Sequence, residues 1–469
     1  MKRKRDAENP KGGMRRVVVI GLDCVPPRLA FDLFARDMPH LHELMARGTW
    51  GPMHSTIPPI TVPAWACMFS GRDPGELGVY GFQTRKGGSY RAELVRPSDL
   101  RAERVWHELA AVGRKPAVLF VPPSFPPEAF GIQVGCFLTP SSRSPHTYPP
   151  RLQAELEQRF GPYRMDVEDF RSDDLDRIGA ELREMTCQHF DIASHILAHE
   201  QPDLLVMVDI GPDRFHHAFY QHIEPRHPQY QEDGPYARAG HDYYALLDHK
   251  IGQLLAHTGD DTTVIVASDH GARPLLGGVC LNEWLIEHGY LRLREYPKRV
   301  TPLSELAIDW SRTRAFGEGG YCGRIQLNLA GREPQGIVPE HAREALVVEL
   351  AQGLSELDHP HGKRLRNLIV PPSAYRGTYG RPPDLQVFFD DLNYRALGSV
   401  GHRCLFTATN DRGPDGCNHD WHGIFVMAGG GVPARGRVDD LQIYDVAKTL
   451  RSLLQLPGYE DLLGSDRSL

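Results

Sequence analysis

Apolar residues are arranged along the chain in two rhythms. Short β-branched runs end in glycine or an acid: Arg15 to Asp23 (RRVVVIGLD), 115–122 (KPAVLFVP), 202–210 (PDLLVMVDI) and 262–271 (TTVIVASDHG). Runs of this kind read as strands buried on both faces of a parallel sheet. Between them the spacing changes to three and four. Residues 174–200 carry Ile178, Leu182, Met185, Ile192 and Ile196 at helical spacing, and 236–259 reads as a second long helix. Shorter helices are predicted from Pro39 to Arg47, closed by Gly48, from the region Thr61 to Pro63 onward, and over 102–113. Strand, helix and strand at this spacing make a right-handed parallel crossover, so the predicted class is α/β with a doubly wound, mostly parallel sheet.

The rhythm fails over residues 275–383, which are rich in Gly, Pro and Arg and give weak strand signals. This stretch reads as a cap or insertion over the sheet. Strand character returns at 384–391 (DLQVFFDD) and 422–432. A closing amphipathic helix is predicted over 444–458, with Val446, Leu450, Leu453 and Leu454 on one face. The expected organisation is a basic tail at 1–14, the first part of the core at 15–274, the cap at 275–383 and the rest of the core at 384–469. No internal repeat is visible.

Composition narrows the class. The chain has 469 residues and a net charge of −7, so no basic field points to a nucleic-acid duplex. The eight cysteines form no CxxC pair, which reads as reduced, mostly buried thiols rather than a zinc ribbon or disulfide framework. The first residues (MKRKRDAENPKGGMRR) have no apolar run behind them, and no stretch approaches the roughly 18 apolar residues of a membrane span. KRKR resembles a nuclear-localisation patch, but a tail before the first strand is the simpler reading, and a cytoplasmic location is expected.

Ligands of parallel α/β sheets bind outside the carboxyl ends of the strands. Asp23 ends the first predicted strand, and Asp269 and His270 end another. Asp213 and His217 follow the strand 202–210, four residues apart and therefore on one face of a helix. His419 and His422 lie just before or at the start of a later strand. Aspartates and histidines so placed suit Zn²⁺, with Mn²⁺ also accommodated. Each motif alone has a plainer reading, as a helix cap or a surface pair; the coincidence of several at strand ends is what points to a site.

The pieces VVVIGLD, STIPPITVPAWACMFSGRDPGELGVYGF, DRFHH, VIVASDHG, NHDWHGIFVMAGGGV and YDVAKTLRSLLQLPG occur in that order. Together they resemble the alkaline phosphatase superfamily, and within it the type I phosphodiesterase/nucleotide pyrophosphatase branch. The resemblance implies two divalent metal ions and a nucleophile at a helix N-terminus, here Thr61. It implies one metal held by Asp23, Thr61, Asp269 and His270 and another by Asp213, His217 and His419, with His422 as a weaker substitute for His419. It also implies hydrolysis of a phosphodiester or pyrophosphate bond in a small phosphorylated substrate, through a phospho-threonine. Thr61 has a plainer role as helix N-cap, with Pro63 in the first turn.

There are three departures from the family pattern. Ala64-Trp65 replace the usual Asn-His, so a phosphoryl oxygen would need another donor, such as the backbone N–H of Val62. Leu77 replaces a histidine, and Cys24 replaces the glycine after the first aspartate. CVPPR (24–28) matches a sulfatase motif, but Thr61 holds the place of the sulfatase nucleophile, so the match reads as accidental. Trp65, Tyr80 and Phe82 are candidates either for stacking on substrate or for the core. A phosphomonoesterase or phosphomutase would want an added cation, for which Arg72, Arg85 and Lys86 are the candidates. A sulfatase or a non-catalytic metal protein is a more distant reading. Nothing in the sequence sets the oligomeric state.

Overall fold

The computed structural model describes residues 15–469 apart from 86, 360, 361 and 363; the expected tail at 1–14 lies outside the described residues. The apolar runs form the strands β1 (Arg16–Leu22), β2 (Thr49–His54), β3 (Pro116–Leu119), β4 (Ile132–Val134), β5 (Leu204–Asp209) and β6 (Thr262–Ala267). Further along come β7 (Gly271–Pro274), β8 (Cys417–Asp420) and β9 (His422–Gly429). The central sheet runs β2-β9-β6-β1-β5-β3-β4 with short strands at its edges, ten strands among the described residues. β1 lies between β5 and β6, parallel to both. β9 is antiparallel to β6 and β2, so the sheet is mixed but mostly parallel.

Alternation along β1 divides the core. Val18, Ile20 and Leu22 pack on one face, with helices α1 (Pro39–Ala46), α3 (Leu175–Glu200), α4 (Gly211–Ile223) and α5 (Ala239–Leu255). Val17 and Val19 pack on the other, with α2 (Thr61–Ser70) and the closing helix α6 (Asp445–Leu453). Each of these side chains, fully removed from water, contributes about 1.5–3 kcal/mol. Helices on both faces leave the strand ends as the free edge, and β1, β5 and β6 end there side by side.

The region after β7 has an apolar core of its own, containing Leu285, Phe316, Ile325, Leu350 and Val387. Its main sheet is antiparallel, in the order Ala315–Glu318, Gly323–Leu327, Leu385–Phe388, Leu368–Val370. This corrects one expectation. The segment 384–391 has strand character but does not rejoin the central sheet; it pairs in this smaller one. The chain comes back along β8, which pairs antiparallel with β7 in a separate two-stranded ribbon, and rejoins the central sheet at β9. An alternating apolar run specifies a strand and a buried face, not the sheet that receives it.

Candidate metal centre

Four segments deliver side chains to the free edge. β1 ends at Asp23, β6 runs into Asp269 and His270, and α4 presents Asp213 and His217 one turn apart. β8 contributes His419, set opposite Ala272 in the β7–β8 ribbon. All six are at most 1% exposed. The Asp213 and His217 pair is therefore buried, and the plainer reading of a surface contact does not hold.

The distances describe one cluster. His270 Nε2 lies 3.2 Å from Asp269 Oδ2 and 3.6 Å from Asp23 Oδ1. His217 Nε2 and His419 Nε2 lie 3.4 and 3.5 Å from Asp213 Oδ1. The ligand atoms of Asp213, His217 and His419 fall within 4.8 Å of one another, and so do those of Asp23, Asp213 and His270. His270 and His419 stack at 3.7 Å between ring centroids, joining the two groups. His422, the alternative to His419, is exposed and meets His54 edge-on, away from this cluster.

The histidines are oriented from behind. Nδ1 of His270 pairs with Gly271 O at 3.2 Å, that of His419 with Pro59 O at 2.8 Å, and that of His217 with Asp415 Oδ1 at 2.7 Å. Each outward bond turns Nε2 into the cluster, as an outer partner does for a metal-ligating histidine. Four buried atoms in the cluster make no hydrogen bond: Asp23 Oδ1, Asp213 Oδ1, Asp269 Oδ2 and His419 Nε2. Unpaired buried acceptors cost about 1–3 kcal/mol each, more when charged, and four converging in one place fit divalent cations.

The electrostatics agree. Burial, then the neighbouring Asp213, pushes the Asp23 carboxyl well above its ordinary value. Burial and Asp23 do the same to Asp269. Burial also acts upward on Asp213, but His217, His419 and Arg214 outweigh it and hold that carboxyl well down. Burial, with His419 beside it, keeps His270 well below the usual imidazole range, and burial lowers His419. At His217 the burial effect is overcome by Asp415 and the value rises. A cation replacing that proton is the ordinary coupling of metal binding to proton release. The buried Asp, His and Cys groups are thus consistent with a bimetallic site.

Thr61 sits beside the cluster, 1% exposed, with Oγ1 3.3 Å from His270 Nε2. It is the first residue of α2 and not its cap: Ile60 holds the extended N-cap conformation, and no side chain caps the helix. The first-turn N–H groups, that of Val62 included, have no carbonyl one turn back to bind. The Val62 side chain itself packs with Val79 and Val95.

Trp65 requires a correction. Of its two readings, substrate stacking and core, the structure supports the core: it is fully buried, stacked on Phe69, and its Nε1–H donates to Asp23 Oδ2 at 2.6 Å. A Cβ on Gly21 would lie 2.7 Å from the Trp65 ring, so glycine there is what admits the indole to the strand end. Tyr80 is also buried and donates to Tyr379 O, while Phe82 is half-buried and lies 6.3 Å from Tyr321. Cys24 adopts φ +64°, the left-handed conformation open to glycine at little cost, and its N–H donates to Asp269 Oδ1 at 3.2 Å. Burial pushes its thiol well up. All eight cysteines are free and six of them are buried, as the sequence suggested.

Further contributors had no sequence signal. Asp415 orients His217 and is held by Arg171 Nε at 2.8 Å and Arg395 Nη1 at 2.5 Å. Arg214, next to Asp213, donates to its Oδ2 at 2.6 Å and grips Asp166 with its other nitrogens. Tyr321, from the region after β7, stacks on His419 at 3.5 Å.

A model of the type I phosphodiesterase/nucleotide pyrophosphatase family matches residues 17–424. Comparison with curated proteins gives no significant match. Among solved structures, murine ectonucleotide pyrophosphatase/phosphodiesterase 5, inactive and in complex with AMP, aligns with a TM-score of 0.57 at 13% identity over 97% of both chains. The human form gives 0.57 at 14% identity, over 96% of this chain and 100% of the other. Phosphonoacetate hydrolase from Sinorhizobium meliloti, in complex with phosphonoformate, gives 0.58 at 15% identity, over 94% of this chain and 96% of the other. At these identities the likeness is one of fold, and it agrees with the alkaline phosphatase-like α/β architecture expected from the sequence.

Proposed function

The chain belongs to the type I phosphodiesterase/nucleotide pyrophosphatase family, and from that premise we propose that it hydrolyses a phosphodiester or pyrophosphate bond of a small phosphorylated substrate, with Thr61 as nucleophile. The observation that carries the reading is the place of Thr61 Oγ1: at a helix N-terminus, 3.3 Å from His270 Nε2 and beside the converging unpaired acceptors. Asp23, Thr61, Asp269 and His270 would hold one divalent cation, and Asp213, His217 and His419 another, Zn²⁺ or Mn²⁺. Bound there, two such ions supply Lewis acidity that lowers the hydroxyl pKa and offsets phosphoryl charge.

The chain's own residues perform the rest. The Thr61 hydroxyl gives up its proton to solvent, its oxygen bonds to phosphorus, and the bond to the leaving oxygen, which takes a proton from water as it departs, breaks on the opposite side. The first turn of α2 offers backbone N–H groups, Val62 among them, and the positive end of the helix dipole to a phosphoryl oxygen. Water then cleaves the phospho-Thr61 ester. Trp65 acts at one remove, fixing the Asp23 carboxylate.

The charge inventory supports a diester over a monoester. Arg72 is paired with Glu76 and Asp461, and Arg85 is buried against Glu333 and Gln326. Neither is left to meet the added charge of a monoester, and Lys86 lies outside the described residues. The phosphomonoesterase or phosphomutase reading would require a cation drawn from elsewhere.

The test is turnover of an aryl phosphodiester and an aryl phosphomonoester by metal-loaded protein, side by side, with Thr61→Ala as control. Diester turnover that falls to background in the variant is expected. Preferential monoester turnover would replace the reading with the phosphomonoesterase one, and full activity in Thr61→Ala would remove the nucleophile from it.

A further inference from the structure

Tyr321 reaches the centre from outside the central sheet. It lies between the strands Ala315–Glu318 and Gly323–Leu327 of the smaller sheet, and is 8% exposed. Its ring lies over His419 at 3.5 Å between centroids, 23° from parallel, and 5.5 Å from His217. Arg395 sits over the same ring, 5.1 Å from its centre. The phenolic oxygen is 3.1 Å from His217 Nε2, the atom that Asp415 turns inward, and accepts from Arg171 Nη2 at 3.2 Å. Its backbone carbonyl accepts from the buried amide of Asn418, the neighbour of His419.

These lengths have a geometric meaning. Ligands about 2.0–2.1 Å from a tetrahedral ion stand roughly 3.3–3.4 Å from each other, and somewhat closer when the ion is more crowded. The separations Asp213 Oδ1 to His217 Nε2 (3.4 Å), Asp213 Oδ1 to His419 Nε2 (3.5 Å) and His217 Nε2 to Tyr321 Oη (3.1 Å) all fall near that edge length.

We propose that Tyr321 supplies a fourth protein ligand, a phenolic oxygen, to the cation position formed by Asp213, His217 and His419. The inference rests on the two-cation reading above. On coordination the phenol gives its proton to bulk buffer, and the oxygen keeps the hydrogen bond from Arg171, which acts as an outer positioning residue. The region after β7 then does more than cover the centre: it contributes to one of the two ion positions and leaves the other to the central sheet.

The experiment is metal binding, independent of turnover. Protein stripped by chelator is titrated with Zn²⁺ against a chromophoric competitor, while the near-ultraviolet absorbance of phenolate is followed. Wild type is expected to take up two ions, with a phenolate difference band accompanying one of them. Tyr321→Phe, which keeps the ring on His419, should lose the band and bind that ion at least about 10- to 100-fold more weakly, the range seen when outer partners alone are lost. Tyr321→His, which restores a donor, should recover part of the affinity without the band. Two ions bound equally tightly by wild type and Tyr321→Phe, with no phenolate band in wild type, would overturn the ligand role and leave the centre intact. Wild type that binds no metal would overturn the two-cation reading as well. The band is read on the wild type, so the outcome stands even if a variant fails to fold.

Discussion

The two halves of the centre are built from different materials. Around Asp23, Asp269, His270 and Thr61, every group comes from a strand end of the central sheet or the helix beside it. Both aspartates face the imidazole of His270, whose protonation burial disfavours, while Trp65 and the Cys24 amide supply neutral N–H donors. Around Asp213, His217 and His419, three arginines, Asp415 and a tyrosine close in, Arg214 from α4 and the others from loops and short strands outside the central sheet. The first half holds two carboxylates pushed upward; the second holds one carboxylate pressed downward. One half is thus left incomplete by the protein, and the other is balanced before any ion arrives. The difference teaches that the same kind of ligand set can be assembled with its charge unmet or with its charge already met.

The largest test of that contrast is Asp23→Asn. Turnover is expected to fall by roughly 10³-fold, as when a main electrostatic element is removed. The stripped variant should nonetheless melt higher than stripped wild type. The folded state binds protons at Asp23 and Asp269 more tightly than the unfolded chain, so their effect is neutral below about pH 4 and destabilising above it. The melting gap between stripped variant and wild type should therefore widen as pH rises from about 4, and excess Zn²⁺ should reverse the order. A gap that stays flat with pH would break the comparison. Asp213 runs the other way: its depressed value stabilises the fold above its ordinary pKa, and that contribution is lost as pH falls.

Next in size is Asp415→Asn. It removes the charge that orients His217 and binds Arg171 and Arg395, and should weaken one ion by about 10- to 100-fold while sparing the other. Equal weakening of both ions would show that the halves are not separable. Trp65→Phe should cost about 0.5–1.5 kcal/mol in denaturant unfolding of the stripped protein, the range of an ordinary hydrogen bond, and weaken the ion at Asp23 more than its partner. The smallest effect belongs to His422→Ala: within about 0.5 kcal/mol in stability and no change in metal stoichiometry by elemental analysis.

The same contrast separates what was legible in the sequence from what was not. Asp23, Asp269 and His270 announce themselves because a β-branched run ends in them. Asp213 and His217 show through helical spacing. Both signals are local, with periods of two and 3.6 residues. Thr61 was placed within one residue of its true position; the cap falls to Ile60, and boundaries of that kind are the least determined part of a periodic pattern. Trp65 lies four residues after Thr61 and so shares its helix face, a spacing that could have directed its indole to the strand end. Tyr321 lies 104 positions from His217, and Asp415 lies 198. No periodicity spans such separations, and the pairing exists only once the smaller sheet has folded against the larger.

The ribbon of β7 and β8 joins these two worlds. The chain leaves the central sheet at the end of β6, runs out along β7 to Pro274 and comes back along β8 from Cys417 before rejoining that sheet at β9, and Pro274 and Cys417 are register partners. Departure and return are therefore side by side, and everything between them hangs from a two-stranded stalk with a hydrophobic core of its own. In evolutionary terms, such an attachment lets the intervening residues lengthen, shorten or change surface while the strands that bear Asp269 and His419 keep their mutual register. A lineage could in this way vary what it recognises without rebuilding the place where the bond is broken.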